Sequence, residues 1–150
     1  MVSIGVDVGK KGGFAVIYDE DSYETFVWDD KEFIEKMWDL SQTVSADERI
    51  IACVEKVGAM PHQGVTSCFN FGKSAGFIEG VLEALEIPYQ LIPPQRWKKE
   101  FTLNSEKSRS IEICQKLFPK ATLLPTERCK VPSDGMAEAL LMAEYARRRL

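Results

Sequence analysis

The sequence predicts an α/β domain built on a mixed five-stranded sheet, three antiparallel strands followed by two parallel ones, flanked by helices. Three observations carry this prediction. The first thirty residues contain three short runs of alternating, β-branched or aromatic residues separated by turns. Two later apolar runs of strand length are each preceded by a stretch of helical periodicity. The resulting order, β-β-β-α-β-α-β-α-α, shows no internal repeat and no low-complexity segment.

The elements follow in chain order. From Val2 to Val8, Val2, Ile4, Val6 and Val8 alternate with Ser3, Gly5 and Asp7, a strand with one apolar face and one face that carries Asp7. Gly9, Gly12 and Gly13 mark a turn. Phe14–Tyr18 and Tyr23–Trp28 flank the acidic turn 19–22 and complete a meander. Asp29 or Asp30 caps a helix reaching about Val44, with Phe33, Ile34, Met37, Trp38 and Leu40 as its apolar positions. Arg49–Glu55 reads as a buried strand ending on a charge, and a loop from Lys56 to Thr66 follows. A helix is expected from about Ser67 to Leu85. Its glycines at 72, 76 and 80 recur every fourth residue and predict close packing against a helix or sheet. Pro88–Ile92 is a strand stopped by Pro93 and Pro94, residues 95–101 hold one or two helical turns, and Ser105–Leu117 is helical up to Pro119. Residues 121–131 are loop, and the last helix spans about 133–149.

Composition narrows the class. With 150 residues, 45% hydrophobic and 28% charged, the chain suits one folded domain rather than a disordered one. No apolar run has the ~18–20 residues that span a bilayer, and the N-terminus lacks the pattern of a secretory signal, so a cytoplasmic location is expected. Cys53, Cys68, Cys114 and Cys129 are widely spaced and there is one histidine, His62, which speaks against a Cys/His zinc cluster and for free thiols. His62 reads as a solvated loop residue within reach of a phosphate. The net charge of −4 is unevenly divided. Residues 1–89 hold 7 Lys and Arg against 16 Asp and Glu, a net −9, while residues 90–150 hold 12 against 7, a net +5. That basic half suits either solvated helices or a polyanionic partner.

Four acidic residues stand out by position. Asp7 lies inside an apolar strand, Glu55 ends a buried one, and Asp134 and Glu138 open the last helix on one face. Each has a plainer reading: Asp134 as a first-turn residue favoured by the helix dipole, Glu138 as a solvated helix residue, Glu55 as a surface charge. Asp7 is the hardest to explain that way, because a lone aspartate in a strand lacks both propensity and a partner. Bunched carboxylates are unfavourable without a cation, and Mg²⁺ takes oxygen ligands of this kind.

The stretches GVDVGKKGGFAVI around Asp7, ACVEKV around Glu55 and DGMAEALLMAEYA from Asp134 resemble the RuvC-like Holliday-junction resolvases. FGKSAGFIEGVLEAL at 71–85 and Pro93-Pro94-Gln95-Arg96-Trp97-Lys98 are similar to the bacteriophage branch of that family. The resemblance spans nearly the whole chain and implies a ribonuclease-H-like fold, with residues 1–150 as a single nuclease domain. It further implies a homodimer, a branched-DNA substrate, and Asp7, Glu55, Asp134 and Glu138 as catalytic ligands of two Mg²⁺ ions, for which Mn²⁺ substitutes. Four-way junctions would be the substrate, with three-way junctions and flaps as candidates. The bacterial pattern spaces its C-terminal acidic pair three apart; here Asp134 and Glu138 are four apart and Gly135 occupies the three-apart position.

The basic half and the loop after Glu55 supply the candidate DNA contacts. Arg96, Lys98 and Lys99 flank Trp97, and Lys107 and Arg109 follow, a basic-aromatic cluster suited to phosphates and an unpaired base, although Trp97 equally suits the core. Lys56 and Lys73 add charge. Met60, Phe69 and Phe71 are candidate wedges for a junction centre, although Phe69 and Phe71 equally suit helix-start packing. Two other classes compete: a catalytically silent module that binds branched nucleic acid, and an actin-like ATPase fragment. The D-x-G and glycine turn fit the latter, but its nucleotide site needs a second domain of similar size. No Walker-type phosphate loop occurs.

Overall fold

A computed structural model describes residues 1–150. Strands β1 (Val2–Asp7), β2 (Gly13–Ile17) and β3 (Tyr23–Val27) are followed by α1 (Asp30–Thr43), β4 (Ile50–Glu55), α2 (Val65–Ala84), β5 (Tyr89–Ile92), α3 (Pro94–Glu100), α4 (Lys107–Leu117) and α5 (Asp134–Arg149). The sheet order is β3-β2-β1-β4-β5. β1 and β3 pair antiparallel with β2, and β4 runs parallel to both β1 and β5. This is the mixed sheet read from the sequence, a ribonuclease-H-like arrangement, and the elements agree to within about two residues at each end. Asp29 caps α1 as expected, accepting a hydrogen bond from the Glu32 amide at 3.0 Å.

Alternation along the strands decides what each face of the sheet carries. Val2, Ile4, Val6 and Val8 of the first strand, with Phe14, Val16, Ala52 and Val54, pack under α1 and α2 against Phe33, Met37, Leu40, Ile78 and Leu82. The opposite face presents Ala15, Ile17, Ile51, Cys53 and Ile92 to α5, Trp97, Phe101 and Cys114. Asp7 is in phase with Gly5 and Glu55 is in phase with Cys53, so both acids belong to the face covered by α5.

α5 is buried almost all round, from Gly135 to Ala146, because the sheet lies on one side and α3 and α4 on the other. Its approach to β1 is close enough that an ideal Cβ on Gly5 would lie 1.9 Å from the Ala139 carbonyl oxygen and 2.4 Å from the Ala143 amide. Glycine is required there for space. The far end of α5 is tied by charge: buried Glu144 accepts from Arg147 and Arg148, each at 2.7 Å, and Arg149 reaches Glu100 of α3 at 2.9 Å. The contacts of Arg148 and Arg149 with Glu100 tie α3 to α5.

The glycine stripe of α2 packs on neither the chain's own sheet nor another of its helices. Gly72, Gly76 and Gly80 are exposed, and a Cβ on any of them would meet nothing within 4 Å. Within the chain no helix or sheet packs on that face, because α2 buries Ile78 and Leu82 on its other side. No helix is long and apolar enough to cross a membrane.

Candidate active site

Asp7 ends β1, and Glu55 ends the adjacent parallel strand β4, where Val6 pairs with Val54. Both carboxylates therefore emerge at the same edge of the sheet, beyond the C-terminal ends of two parallel strands. Ser133 caps α5 there, accepting from the Met136 amide at 3.2 Å, and this directs Asp134 and Glu138 into the same space. The four carboxylates line one open cleft of about 640 Å³, together with Lys98, Lys107 and the β1–β2 turn.

The fit around Gly135 explains why no side chain stands three residues before Glu138. A Cβ at that position would stand 2.3 Å from the Lys11 carbonyl oxygen and 2.9 Å from the Gly12 Cα. The start of α5 lies directly on the turn, so no side chain fits three residues before Glu138. Asp134, one position earlier, reaches the cleft instead.

Each carboxylate but one has a protein partner. The Trp97 indole donates to Glu55 Oε2 at 3.0 Å, and the Ser110 hydroxyl donates to Glu138 Oε1 at 3.3 Å. Lys98 Nζ lies 4.0 Å from Glu138, and Lys107 Nζ lies 3.3 Å from Asp134. Asp7 has neither hydrogen bond nor ion pair on its side chain. Burial first, then the charges of Glu55, Glu138 and Asp134, push its pKa from the usual 3.8 up to about 8, with Lys98 opposing. Burial also raises Glu55 and Glu138, partly offset by the Trp97 bond and Lys98 for the former, and by Lys98 and Ser110 for the latter. A partly buried, partnerless carboxylate among three others is a site that disfavours its own charge and fits a cation. The side chains surround the cleft rather than close on one point: no group of three His, Cys, Asp or Glu stands in metal-holding geometry.

The remaining candidates divide. Lys98 and Lys107 line the cleft. Lys56, Lys73, Arg96, Lys99 and Arg109 are exposed outside it, as are Met60 (67% exposed) and Phe69 (71%) on and beside the first turns of α2. Phe71 turns inward and covers Gly9, which adopts φ 128°. His62 is an exposed loop residue.

Of the two readings of Trp97 the structure selects the core and overturns the base-stacking one. It is wholly buried in the core beneath α5 and presents no ring to a base. Trp97→Ala is expected to cost about 3–5 kcal/mol of stability, read as a lowered melting temperature, rather than to weaken nucleic-acid binding alone. Sequence reasoning also missed contributors to the cleft. Lys10 and Lys11 come from the turn after Asp7, and Ser67, Asn70 and Ser74 form a polar stripe along α2. The spacing of 67, 70 and 74 is one helical face, which is the signal that was there to find.

No protein-family model matches the chain, and no curated protein is similar to it at a significant level. Solved structures do match. RuvC of T. thermophilus in complex with a Holliday junction substrate aligns with a TM-score of 0.59 at 16% identity, covering 99% of this chain and 96% of that one. A second Thermus thermophilus RuvC structure gives 0.58 at 13% identity, with the same coverage. The chain thus has a RuvC-like fold.

Proposed function

We propose that this chain is a metal-dependent endonuclease that resolves branched DNA as Holliday-junction resolvases do, by paired nicks in a four-way junction. The observation that carries the reading is that four carboxylates line one cleft at the sheet edge, with Asp7 half-buried there and unpartnered. The RuvC-like fold, whose neighbour was solved with a Holliday junction substrate, supports it. So does the resemblance of residues 71–85 and 93–98 to the bacteriophage branch.

In this reading Asp7, Glu55, Asp134 and Glu138 hold two Mg²⁺ ions, with Mn²⁺ as a substitute. When bound, such a pair supplies an activated water and stabilises the leaving oxygen of an in-line phosphodiester displacement. The chain's own groups do the rest. Lys98 and Lys107 offset part of the cleft's negative charge and meet the scissile phosphate. Lys10 and Lys11 approach the backbone from the β1–β2 turn, and Ser67, Asn70 and Ser74 offer uncharged hydrogen-bonding groups along the strand. Exposed Met60 and Phe69 enter the junction centre, where unstacking is cheapest. Arg96, Lys99 and Arg109 hold an arm. Two opposed nicks need two such sites in fixed relation, which a two-fold homodimer provides. The open glycine face of α2 is where a second copy can approach closely.

The test is a labelled four-way junction with Mg²⁺. Paired nicks in opposed strands are expected, with linear duplex uncut. Binding without cleavage would instead indicate a silent module, and ATP turnover an actin-like enzyme; either result contradicts the proposal. Junction affinity should fall with salt at a log–log slope of roughly −0.9 per neutralised phosphate, a loss of about 10²-fold or more between about 50 and 200 mM. A flat salt dependence would remove the basic half from the interface.

A further inference from the structure

We propose that Trp97 is a positioning residue for the cleft: its indole N–H fixes the Glu55 carboxylate by one oxygen and leaves the other for a divalent cation. The inference rests on the metal-site reading above and concerns how this chain holds one of its ligands. Trp97 lies in α3, 42 residues from Glu55, and its Nε1 donates to Glu55 Oε2 at 3.0 Å. Oε1 of Glu55 accepts no hydrogen bond. The indole is 0% exposed and packed beneath α5, so the donor has no freedom to follow a moving carboxylate. A ring serving only to fill this space would need no N–H, and a buried indole N–H without a partner is costly. Here its acceptor is an acid at the cleft, which makes the bond charge-assisted and pins the plane of the carboxylate.

The same layer treats a second acid in the same way. Ser110 of α4 is 1% exposed, and its hydroxyl donates to Glu138 Oε1 at 3.3 Å. α3 and α4 thus supply buried donors to one acid from the sheet and one from α5, while Asp7 has none. Partners of this kind behind metal ligands typically change metal affinity by about 10–100-fold.

Trp97→Phe keeps the ring and removes the N–H. Free Mn²⁺ measured by electron paramagnetic resonance, without DNA or turnover, should show dissociation constants raised about 10-fold or more over wild type, with circular dichroism showing a folded variant. A second readout uses wild-type protein alone. The Trp97 indole N–H proton resonance should shift when Mg²⁺ is added, whereas that of Trp38, 56% exposed on α1, should not. A folded Trp97→Phe protein that binds Mn²⁺ as tightly as wild type overturns the proposal and leaves the metal-site reading standing. Wild-type protein that binds no Mn²⁺ overturns both. Should the variant fail to fold, the resonance decides: an unmoved Trp97 signal rejects the role, and a shifted one supports it.

Discussion

Asp7→Asn should abolish nicking of a four-way junction while raising the stability of the metal-free protein at pH 8. The two effects share a cause. Asp7 sits among Glu55, Asp134 and Glu138 at the end of β1, and burial plus those neighbours lift its pKa from 3.8 to about 8. A carboxylate whose pKa is higher in the folded chain than in the unfolded one destabilises the fold once it ionises. That penalty is absent below about pH 4, grows as pH rises, and is complete above about pH 8. Asparagine keeps the shape without the charge, so the variant should gain on the order of 2–5 kcal/mol at pH 8 and nothing at pH 4. Wild-type protein should recover the difference when Mg²⁺ binds, because a ligand that binds only the folded state stabilises it. Cleavage should fall at least about 10²-fold, since loss of a ligand exceeds loss of a group behind one. Junction binding should survive, because Asp7 contributes no positive charge. Thermal melts at the two pH values, with and without Mg²⁺, together with a cleavage time course, check all of this. An asparagine variant no more stable than wild type at pH 8 would show that neither burial nor the neighbouring acids disfavour the Asp7 charge as described.

Gly5→Ala should have the largest effect on stability. The new Cβ would fall 1.9 Å from the Ala139 oxygen and 2.4 Å from the Ala143 nitrogen, both backbone atoms of α5. No rotamer change relieves such a contact; the helix has to move away from β1. Displacing it opens the core around Ala139, Leu140 and Ala143 and carries Asp134 and Glu138 away from Asp7. A loss of about 4 kcal/mol or more is expected, large enough to be diagnostic of backbone overpacking. Denaturant unfolding measures it, with Gly58→Ala in the loop after β4 as the control because its Cβ would meet nothing within 4 Å. A Gly5→Ala protein as stable as wild type would mean that α5 does not lie against β1 as described.

The order of elements was legible because strands and helices write different periods into a sequence, and this chain keeps them clean. Asp7 was conspicuous for the same reason, as a charge in a run of alternating valines. Glu55 and the Asp134–Glu138 pair were legible as positions, but their meeting was not, because it depends on the parallel pairing of β1 with β4 and on the direction of α5. Trp97 shows where local reading stays undecided. Arg96, Lys98 and Lys99 around it suggested a surface cluster, yet a short helix turns one residue inward while Arg96 and Lys99 face out and Lys98 faces the cleft, and sequence spacing does not say which. The glycines of α2 were ambiguous for a related reason, since a stripe of small residues does not say whether the chain's own sheet packs on it. Lys10 and Lys11 were visible only as part of a turn. Their role at the cleft depends on the start of α5 seating on that turn, through Gly135.

Anomalous diffraction from crystals grown with Mn²⁺ near pH 8 tests the central claim most directly. Two peaks are expected in the cleft, within coordination distance of Asp7, Glu55, Asp134 and Glu138 and about 3.5–4 Å apart. Their oxygen ligands should come from those four side chains, with Glu55 still hydrogen-bonded to Trp97. A cleft without peaks, or Mn²⁺ held by other residues, would contradict it.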